Sequence, residues 1–162
     1  MKTYDILLKS STGTQNTDTT SIDYKFDWGI IPEGDYELSF TFQSAAVATG
    51  EKNDAHLREY PVLVEAIVPF SSDRYMTKTG GMAMSSQVIG LIKSEFVESA
   101  PSSTGLGYAL VRYVSQLDNQ PIHLYGKPQG NDLRINLKNY GGALADATLP
   151  LEYVMSIHLK SC

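Results

Sequence analysis

The sequence predicts an all-β fold, because short extended segments with alternating apolar and polar residues recur to the last residues of the chain. Within Tyr36–Gln43, every second residue is large and apolar, and the residues between them are polar or charged. The segment Leu133–Lys138 repeats this pattern. A period of two is typical of a strand that buries one face. A chain built almost wholly of such segments is therefore predicted to be an antiparallel sandwich or barrel.

The N-terminal half is predicted to contain four strands. In the first predicted strand, three apolar side chains share one face. In the predicted turn Ile31–Asp35, a proline presets φ and a glycine can adopt a positive φ. Ser10–Ser21 is rich in Ser and Thr and lacks periodicity, which indicates a mobile loop or arm near residues 10–21. Ala45–Glu59 is ambiguous and is interpreted as a loop with a short helical turn. The four strands are Tyr4–Lys9, Ile22–Trp28, Tyr36–Ser44 and Pro61–Val68.

The C-terminal half is predicted to contain five more strands. Gly90, inside the first of them, indicates a bulge or a point of close packing. Ser71–Ser85, Ser99–Gly107 and Asn139–Leu149 are interpreted as loops, and Gly126–Asp132 as a hairpin loop because it contains a proline and two glycines. The five strands are Gln87–Glu98, Tyr108–Ser115, Ile122–Tyr125, Leu133–Leu137 and Glu152–Lys160.

Loop lengths select among the all-β architectures. A simple meander would use short hairpins throughout, whereas long excursions such as Ala45–Glu59 and Ser71–Ser85 suit Greek-key crossings between two sheets. We therefore predict a single eight-stranded antiparallel jelly-roll β-sandwich. The 162 residues suit one domain of this kind, which spans residues 1–162.

The composition argues against several classes of protein. Hydrophobic residues make up 42% of the chain and charged residues 19%, values that disordered and membrane-spanning chains do not show. The formal net charge is -5 and Lys and Arg are scattered, which argues against nucleic-acid binding. Met1–Ser10 lacks the layout of a signal peptide, so no secretion is expected. Cys162 is the one cysteine, which excludes an internal disulfide and predicts a frayed, exposed thiol.

Metal, nucleophile and phosphate chemistry find little support in the sequence. His56, His123 and His158 lack the spacing of metal ligands, although neighbouring strands could bring the last two together. A nucleophile elbow is missing, and Gly105–Gly107 lacks the third glycine of a phosphate loop. We therefore assign no catalytic, cofactor-binding or metal-site residue, expect no cofactor, and predict that the protein is not an enzyme.

Carboxylates and tyrosines leave two alternatives open. Four acidic residues close in sequence could do glycosidase work, but a polar strand face and a turn hold such residues anyway. Most aromatic residues are expected to fill the core, and tyrosines that flank polar loops could stack on sugars or pack on neighbouring proteins. The carboxylates are Asp23, Asp27, Glu33 and Asp35, and the tyrosines are Tyr108, Tyr113, Tyr125 and Tyr140.

Three segments together resemble a known group of proteins. YDILLKSS at Tyr4–Ser11 precedes a Ser/Thr-rich stretch, WGIIPEGDYEL follows at Trp28–Leu38, and EYVMSIHL lies at Glu152–Leu159. This order resembles single jelly-roll minor capsid or penton-type proteins of large double-stranded DNA viruses and virophages. The middle of the chain, Ala45–Gly81, has no counterpart in this resemblance, and the family offers no catalytic residues to transfer.

The resemblance implies a structural virion component, a minor capsid or penton (vertex) protein. Such a protein makes lateral contacts with itself, as a pentamer or less favourably a trimer, and with the major capsid protein. It would assemble in the host cell interior and reside in the virion. The composition adds the expectation of neither a nucleic-acid partner nor a membrane-spanning segment. A carbohydrate-binding jelly-roll module is the main alternative, and a small cupin-like enzyme is a third.

Overall fold

The computed structural model describes residues 1–16, 20–45, 47–49, 62–67, 75–77, 83–85, 88–100, 108–138 and 152–162. The fold is all-β: these residues form thirteen strands and two short 3₁₀ turns, Ser10–Thr12 and Trp28–Ile30. The strands are β1 (Thr3–Lys9), β2 (Thr14–Gln15), β3 (Ser21–Lys25), β4 (Tyr36–Ser44), β5 (Val47–Thr49), β6 (Val62–Ile67), β7 (Tyr75–Thr77), β8 (Ala83–Ser85), β9 (Val88–Ala100), β10 (Tyr108–Ser115), β11 (Ile122–Leu124), β12 (Asp132–Lys138) and β13 (Tyr153–Ser161).

Eleven of the strands form one curled antiparallel sheet in the order β1-β13-β4-β10-β9-β6-β12-β3-β2, with β11 paired to β4 and β5 paired to β10. Strands β7 and β8 form a separate hairpin. Four of the pairings are nested in the sequence: β1 with β13, β3 with β12, β4 with β10, and β6 with β9. The chain therefore pairs from its two ends inward, which brings the first and last strands side by side.

The strand count differs from the expected eight because short strands occur where loops are predicted. Eight strands have five or more residues, and the other five have only two or three. Ser71–Ser85, predicted as a loop, contains β7 and β8. The predicted hairpin loop Gly126–Asp132 is wrong, because β11 pairs with β4 while β12 pairs with β3 and β6. The predicted strand Ile22–Trp28 is shorter in the structure. Strand β3 ends at Lys25, and Trp28 begins a 3₁₀ turn.

Other predictions of elements agree closely with the structure. Tyr36–Ser44 and Tyr108–Ser115 form strands over the predicted bounds. The 3₁₀ turn that follows β3 buries Trp28, whose Nε1 donates a hydrogen bond to the Asp132 carbonyl oxygen at 3.3 Å.

Some of the predicted loops lie outside the described residues, namely parts of Ala45–Glu59 and of Ser99–Gly107 and all of Asn139–Leu149. No helix within the described part of the chain is long and apolar enough to cross a membrane.

One hydrophobic cluster joins the inward faces of the long strands. On β4 the alternation is complete, since Tyr36, Leu38, Phe40 and Phe42 are buried and the residues between them are partly or fully exposed. Phe40, predicted to be buried, is 6% exposed. The apolar positions of β12 and β13 face the same cluster and extend the core across the curled sheet. The residues with the largest fully buried side chains are Trp28, Tyr36, Ile22, Ile89, Ile92, Ile122, Leu124, Leu133, Ile135, Leu137 and Met155.

Gly90 confirms the close-packing point that the sequence predicts in β9. The register between β6 and β9 shifts beside it, between Val64 and Glu65. A Cβ at Gly90 would lie 2.5 Å from Phe40 Cε1 and 2.8 Å from Asn119 Oδ1. A larger residue would therefore displace the core at this position.

Candidate interaction surfaces

A groove of about 450 Å³ lies between the first and third strands, and we call it the seam. Asp5–Leu8 of β1 form one wall, and Asp23–Phe26, at the end of β3, form the other. Thr12 and Thr14, in the turn after β1 and in β2, also line the groove. Strands β1 and β3 lie towards opposite ends of the sheet order, so the seam is the place where the curled sheet meets itself without pairing.

The floor of the seam is apolar. Ile6 and Leu8 of β1 are each 5% exposed, Tyr24 of β3 is 6% exposed, and Phe26 packs against the core. Leu7, between Ile6 and Leu8, alternates away from the core, lies at the rim of the seam and is 66% exposed. Three consecutive apolar residues interrupt the alternation of β1, and this sequence signal could have identified Leu7 as an exposed apolar side chain.

Charged side chains along the seam are paired with residues of neighbouring strands. On the β1 side, Asp5 Oδ1 lies 2.6 Å from His158 Nδ1. On the β3 side, Arg134 donates two hydrogen bonds to Asp23, at 2.6 and 3.0 Å, and these bonds hold the pKa of that carboxyl below its usual value. Lys25 is paired with Asp132, and the hydrogen bond to Asp132 raises the pKa of Lys25. Each charged side chain that lines the seam is therefore hydrogen-bonded to a partner on a neighbouring strand.

A second groove, of about 620 Å³, lies where β1, β4 and β13 approach the 3₁₀ turn after β1, and we call it the outer groove. Its exposed residues come from the outward faces of the strands, and its buried residues include a pair of rings, Phe42 and Tyr153, whose centroids are 4.8 Å apart. Val154, at its rim, is 40% exposed. The groove is lined by Lys9, Ser10, Ser11, Thr41, Phe42, Gln43, Ser44, Ala45, Glu152, Tyr153, Val154 and Ser156.

Buried hydroxyls hold the polar side of the outer groove in place. Ser10 Oγ accepts a hydrogen bond from the Tyr153 backbone N–H at 2.9 Å, and Ser44 Oγ accepts one from the Tyr113 N–H at 2.8 Å. The Tyr24 hydroxyl donates to the Tyr153 hydroxyl at 3.2 Å. Both phenols are buried, and loss of hydration raises the pKa of each. These groups thus remain neutral and serve as structural links between strands.

The histidines do not meet in one site. His158 pairs with Asp5 on the outward face of β13, whereas Nδ1 of His123, on β11, lies 3.7 Å from Cys162 Sγ. His56 lies outside the described residues. Among the residues that the structure describes, no three His, Cys, Asp or Glu side chains lie close enough together to hold a metal ion.

The four candidate carboxylates each have a separate partner. Besides Asp23, which pairs with Arg134, the group comprises three residues around the β3–β4 connection. Asp27 accepts a hydrogen bond from the Gly29 N–H at 2.8 Å and thereby caps the 3₁₀ turn. Glu33 lies 3.0 Å from Lys127, and Asp35 accepts from the Gly126 N–H at 2.9 Å. The structure therefore gives these carboxylates local structural roles.

The tyrosines suggested for sugar stacking differ in exposure. Tyr113, on β10, is part of the hydrophobic core and is only 2% exposed. The expectation that it could contact a ligand is therefore wrong. Tyr125 is 56% exposed and packs edge-on against His123, with ring centroids 4.8 Å apart. The side chain of Tyr108 and the whole of Tyr140 lie outside the described residues.

The chain termini are tied to the sheet. Cys162 is exposed, as predicted, but it is not frayed, because its backbone N–H donates to the Asp35 carbonyl at 3.1 Å. At the other end, the Ser161 N–H donates to the Lys2 carbonyl at 2.9 Å. The first and last strands thus reinforce each other beside the seam and the outer groove.

Comparison of the chain with protein-family models found no matching family, and comparison with curated proteins found no matching sequence.

Proposed function

We propose that this protein is a structural virion component, a minor capsid or penton protein that makes lateral contacts with itself and with a major capsid protein. The observation that carries the proposal is the nested pairing of the eight longest strands. The sequence resemblance to single jelly-roll capsid proteins supports it independently, because that resemblance rests on three segments and not on the pairing of strands.

The order in which the eight longest strands pair supports a jelly roll. Taken in chain order, the eight longest strands pair first with last, second with seventh, third with sixth and fourth with fifth. Such a chain is one long antiparallel ribbon. Rolling the ribbon places β13 beside β4 and β12 beside β6, and both of these pairings occur. A rolled ribbon of eight strands is the plan of the jelly roll, in which two Greek keys form two facing sheets.

The proposed role in a shell follows from the strand edges and sheet faces that a jelly roll exposes. An unpaired strand edge and an outward sheet face invite contacts with other chains unless they are covered, and a shell protein uses them for lateral association. Two exposed apolar side chains on adjacent strands, Leu7 of β1 and Val154 of β13, supply apolar area for such a contact. A specific contact there should bury on the order of 1,200–2,000 Å² in total. In this role the protein needs no turnover and no cofactor, and its place is in the virion, after assembly inside the host cell.

Sedimentation velocity of the purified protein over a series of loading concentrations tests the self-association. The proposal predicts a concentration-dependent oligomer, a pentamer in preference to a trimer. A second run in the presence of the major capsid protein should give a heavier complex. A protein that stays monomeric at every concentration, and that does not bind the major capsid protein, would contradict the proposal.

A carbohydrate-binding module is the second candidate, and exposed Tyr125 is the observation that favours it. An exposed aromatic ring next to a polar side chain suits stacking on a sugar. Glycan-array binding by a monomer, lost in Tyr125→Ala and kept in Tyr113→Phe, would favour this alternative over the shell role.

A further inference from the structure

We propose that the seam binds an extended peptide segment of a partner protein, which adds to the curled sheet as a strand between β1 and β3. This inference goes beyond the structural role, since it assigns a peptide-binding site to the isolated chain. It rests on the geometry of the two strand edges, on the apolar floor between them, and on the pairing of the charges along both walls.

The strand edges supply the hydrogen-bonding groups. Strand β1 pairs with β13 over seven residues, and no strand in the described part of the chain pairs with its other edge. On the opposite wall, β2 pairs with β3 only at Ile22 and Asp23, so the edge of β3 from Tyr24 onward extends past β2. An extended peptide carries alternating N–H and C=O groups that match such an edge, which is the basis of strand addition.

The residues that line the seam define which side chains the bound peptide segment should carry. Its inward side chains would meet Ile6, Leu8 and Tyr24, so they should be apolar. Its outward side chains would lie beside exposed Leu7 and beside Asp23 and Lys25, whose charges are already paired, so they should be uncharged. The β1 wall is four residues long, Asp5–Leu8, which corresponds to about 13 Å of extended chain.

One end of the seam is closed. The turn after β1 packs closely on β3 at Gly13, where a Cβ would lie 2.9 Å from the Asp23 carbonyl oxygen. Thr12 and Thr14, on either side of this glycine, line the same end of the groove. The partner segment therefore enters from the opposite end, next to Asp5 and Phe26.

Binding of a synthetic peptide to the purified protein tests the inference. The probe is acetyl-Ser-Thr-Val-Thr-Val-Thr-Val-Ser-amide, and the matched control is the same peptide with N-methylated valines, which cannot donate backbone hydrogen bonds at those positions. We expect hydrogen exchange to slow in both Asp5–Leu8 and Tyr24–Phe26 when the probe is added, and no such change with the methylated control. No binding at millimolar probe, equal binding of both peptides, or protection confined to the outer groove would overturn the inference.

Two matched variants locate the site further. Leu7→Lys places a charge on the seam edge, and Leu117→Lys makes the same substitution at an exposed turn residue that lies outside both grooves. We expect Leu7→Lys to weaken probe binding about fivefold, the upper value for one cross-strand pair, and Leu117→Lys to leave it unchanged. Equal weakening by both substitutions would count against the seam. Since these assays use the isolated chain and a synthetic probe, their outcome is independent of whether the protein occurs in particles.

Discussion

Buried hydroxyl and amide side chains link strands that are distant in the sequence. Ser21 Oγ donates a hydrogen bond to Asn136 Oδ1 at 2.8 Å, and the Asn136 amide donates to Glu65 at 2.9 Å, so that β3, β12 and β6 are joined by one chain of bonds. Ser10, in the 3₁₀ turn after β1, joins that turn to β13 by accepting a hydrogen bond from the Tyr153 N–H. These bonds satisfy polar groups that the curled sheet removes from water.

Ser10→Ala should lower the free energy of unfolding by about 1–3 kcal/mol, because it leaves the buried Tyr153 N–H without its acceptor. The adjacent Ser11 is exposed and provides the matched control. Ser11→Ala should change stability by less than about 0.5 kcal/mol. Urea denaturation of both variants measures the difference, and equal stabilities would show that the Ser10 hydrogen bond contributes nothing.

Phe40→Ala should cost about 3–5 kcal/mol of stability, since it opens a cavity in the best-patterned strand of the core. Thr41→Ala, at the exposed neighbouring position, is the control and should cost less than about 0.5 kcal/mol. A loss at Phe40 below about 1 kcal/mol in chemical denaturation would mean that the two faces of β4 are assigned the wrong way round.

The buried phenols predict a loss of stability in alkali. Burial raises the pKa of Tyr153 and of Tyr24 above the usual value near 10, so the folded state holds protons that the unfolded chain releases. Their stabilising effect is complete below about pH 10 and is lost as the pH rises from there towards the folded-state values. For each phenol, the slope approaches about 1.4 kcal/mol per pH unit.

Denaturation measured from pH 8 to pH 11.5 checks this expectation. Tyr153→Phe should flatten the alkaline decline, whereas Tyr125→Phe, at an exposed ring, should leave it as in the parent protein. An alkaline slope that is the same in all three proteins would show that Tyr153 does not cause the decline.

At the scale of elements, the sequence predicts the long strands well and the short ones poorly. The alternation in Tyr36–Ser44 fixes both the strand and its buried face, because one-residue slips would bury its polar side chains. Strands of two or three residues, such as Thr14–Gln15, are too short to show a period. Gly126–Asp132 has the residues of a hairpin turn, but pairing with distant strands decides the path of the chain there.

The Ser/Thr-rich segment near residues 10–21 illustrates the same limit. Its composition predicts mobility, which remains a prediction for residues 17–19, outside the described chain. At its two ends, however, Ser10 is buried, the Asn16 N–H donates to the Ser21 carbonyl at 2.9 Å, and the Leu137 N–H donates to the Thr20 carbonyl at 2.8 Å. The contacts of Ser10 and Thr20 are made with β13 and β12, which are distant in the sequence, so the local composition does not reveal this order.

Hydrogen exchange of the isolated protein tests the order of this segment. We expect the Asn16 amide to exchange slowly, at a rate close to that of amides in β3, because its hydrogen bond ties the segment to that strand. The amide of Leu117, an exposed turn residue at 99% exposure, is the internal reference for fast exchange. Equal, fast exchange at Asn16 and Leu117 would show that the whole segment is mobile in the isolated protein.

At the scale of the whole molecule, the surfaces follow from the topology and could not be read from the sequence. The seam exists because β1 and β3 are brought together without pairing, and the residues of its two walls are separated by intervening turns in the chain. The outer groove likewise joins residues near both ends of the chain. The sequence predicts most of these residues as strand positions and those after β1 as a loop, but the neighbours of each strand become known only from the pairing.

The structural role in a virion is tested most directly by cryo-electron microscopy of purified particles, with the chain identified by mass spectrometry of the same sample. The proposal predicts density for this chain in the shell at a symmetry axis, with contacts between copies or to the major capsid protein that bury about 1,200–2,000 Å². Absence of the chain from the shell, or contact with nucleic acid alone, would contradict the proposal and would make carbohydrate binding the leading hypothesis.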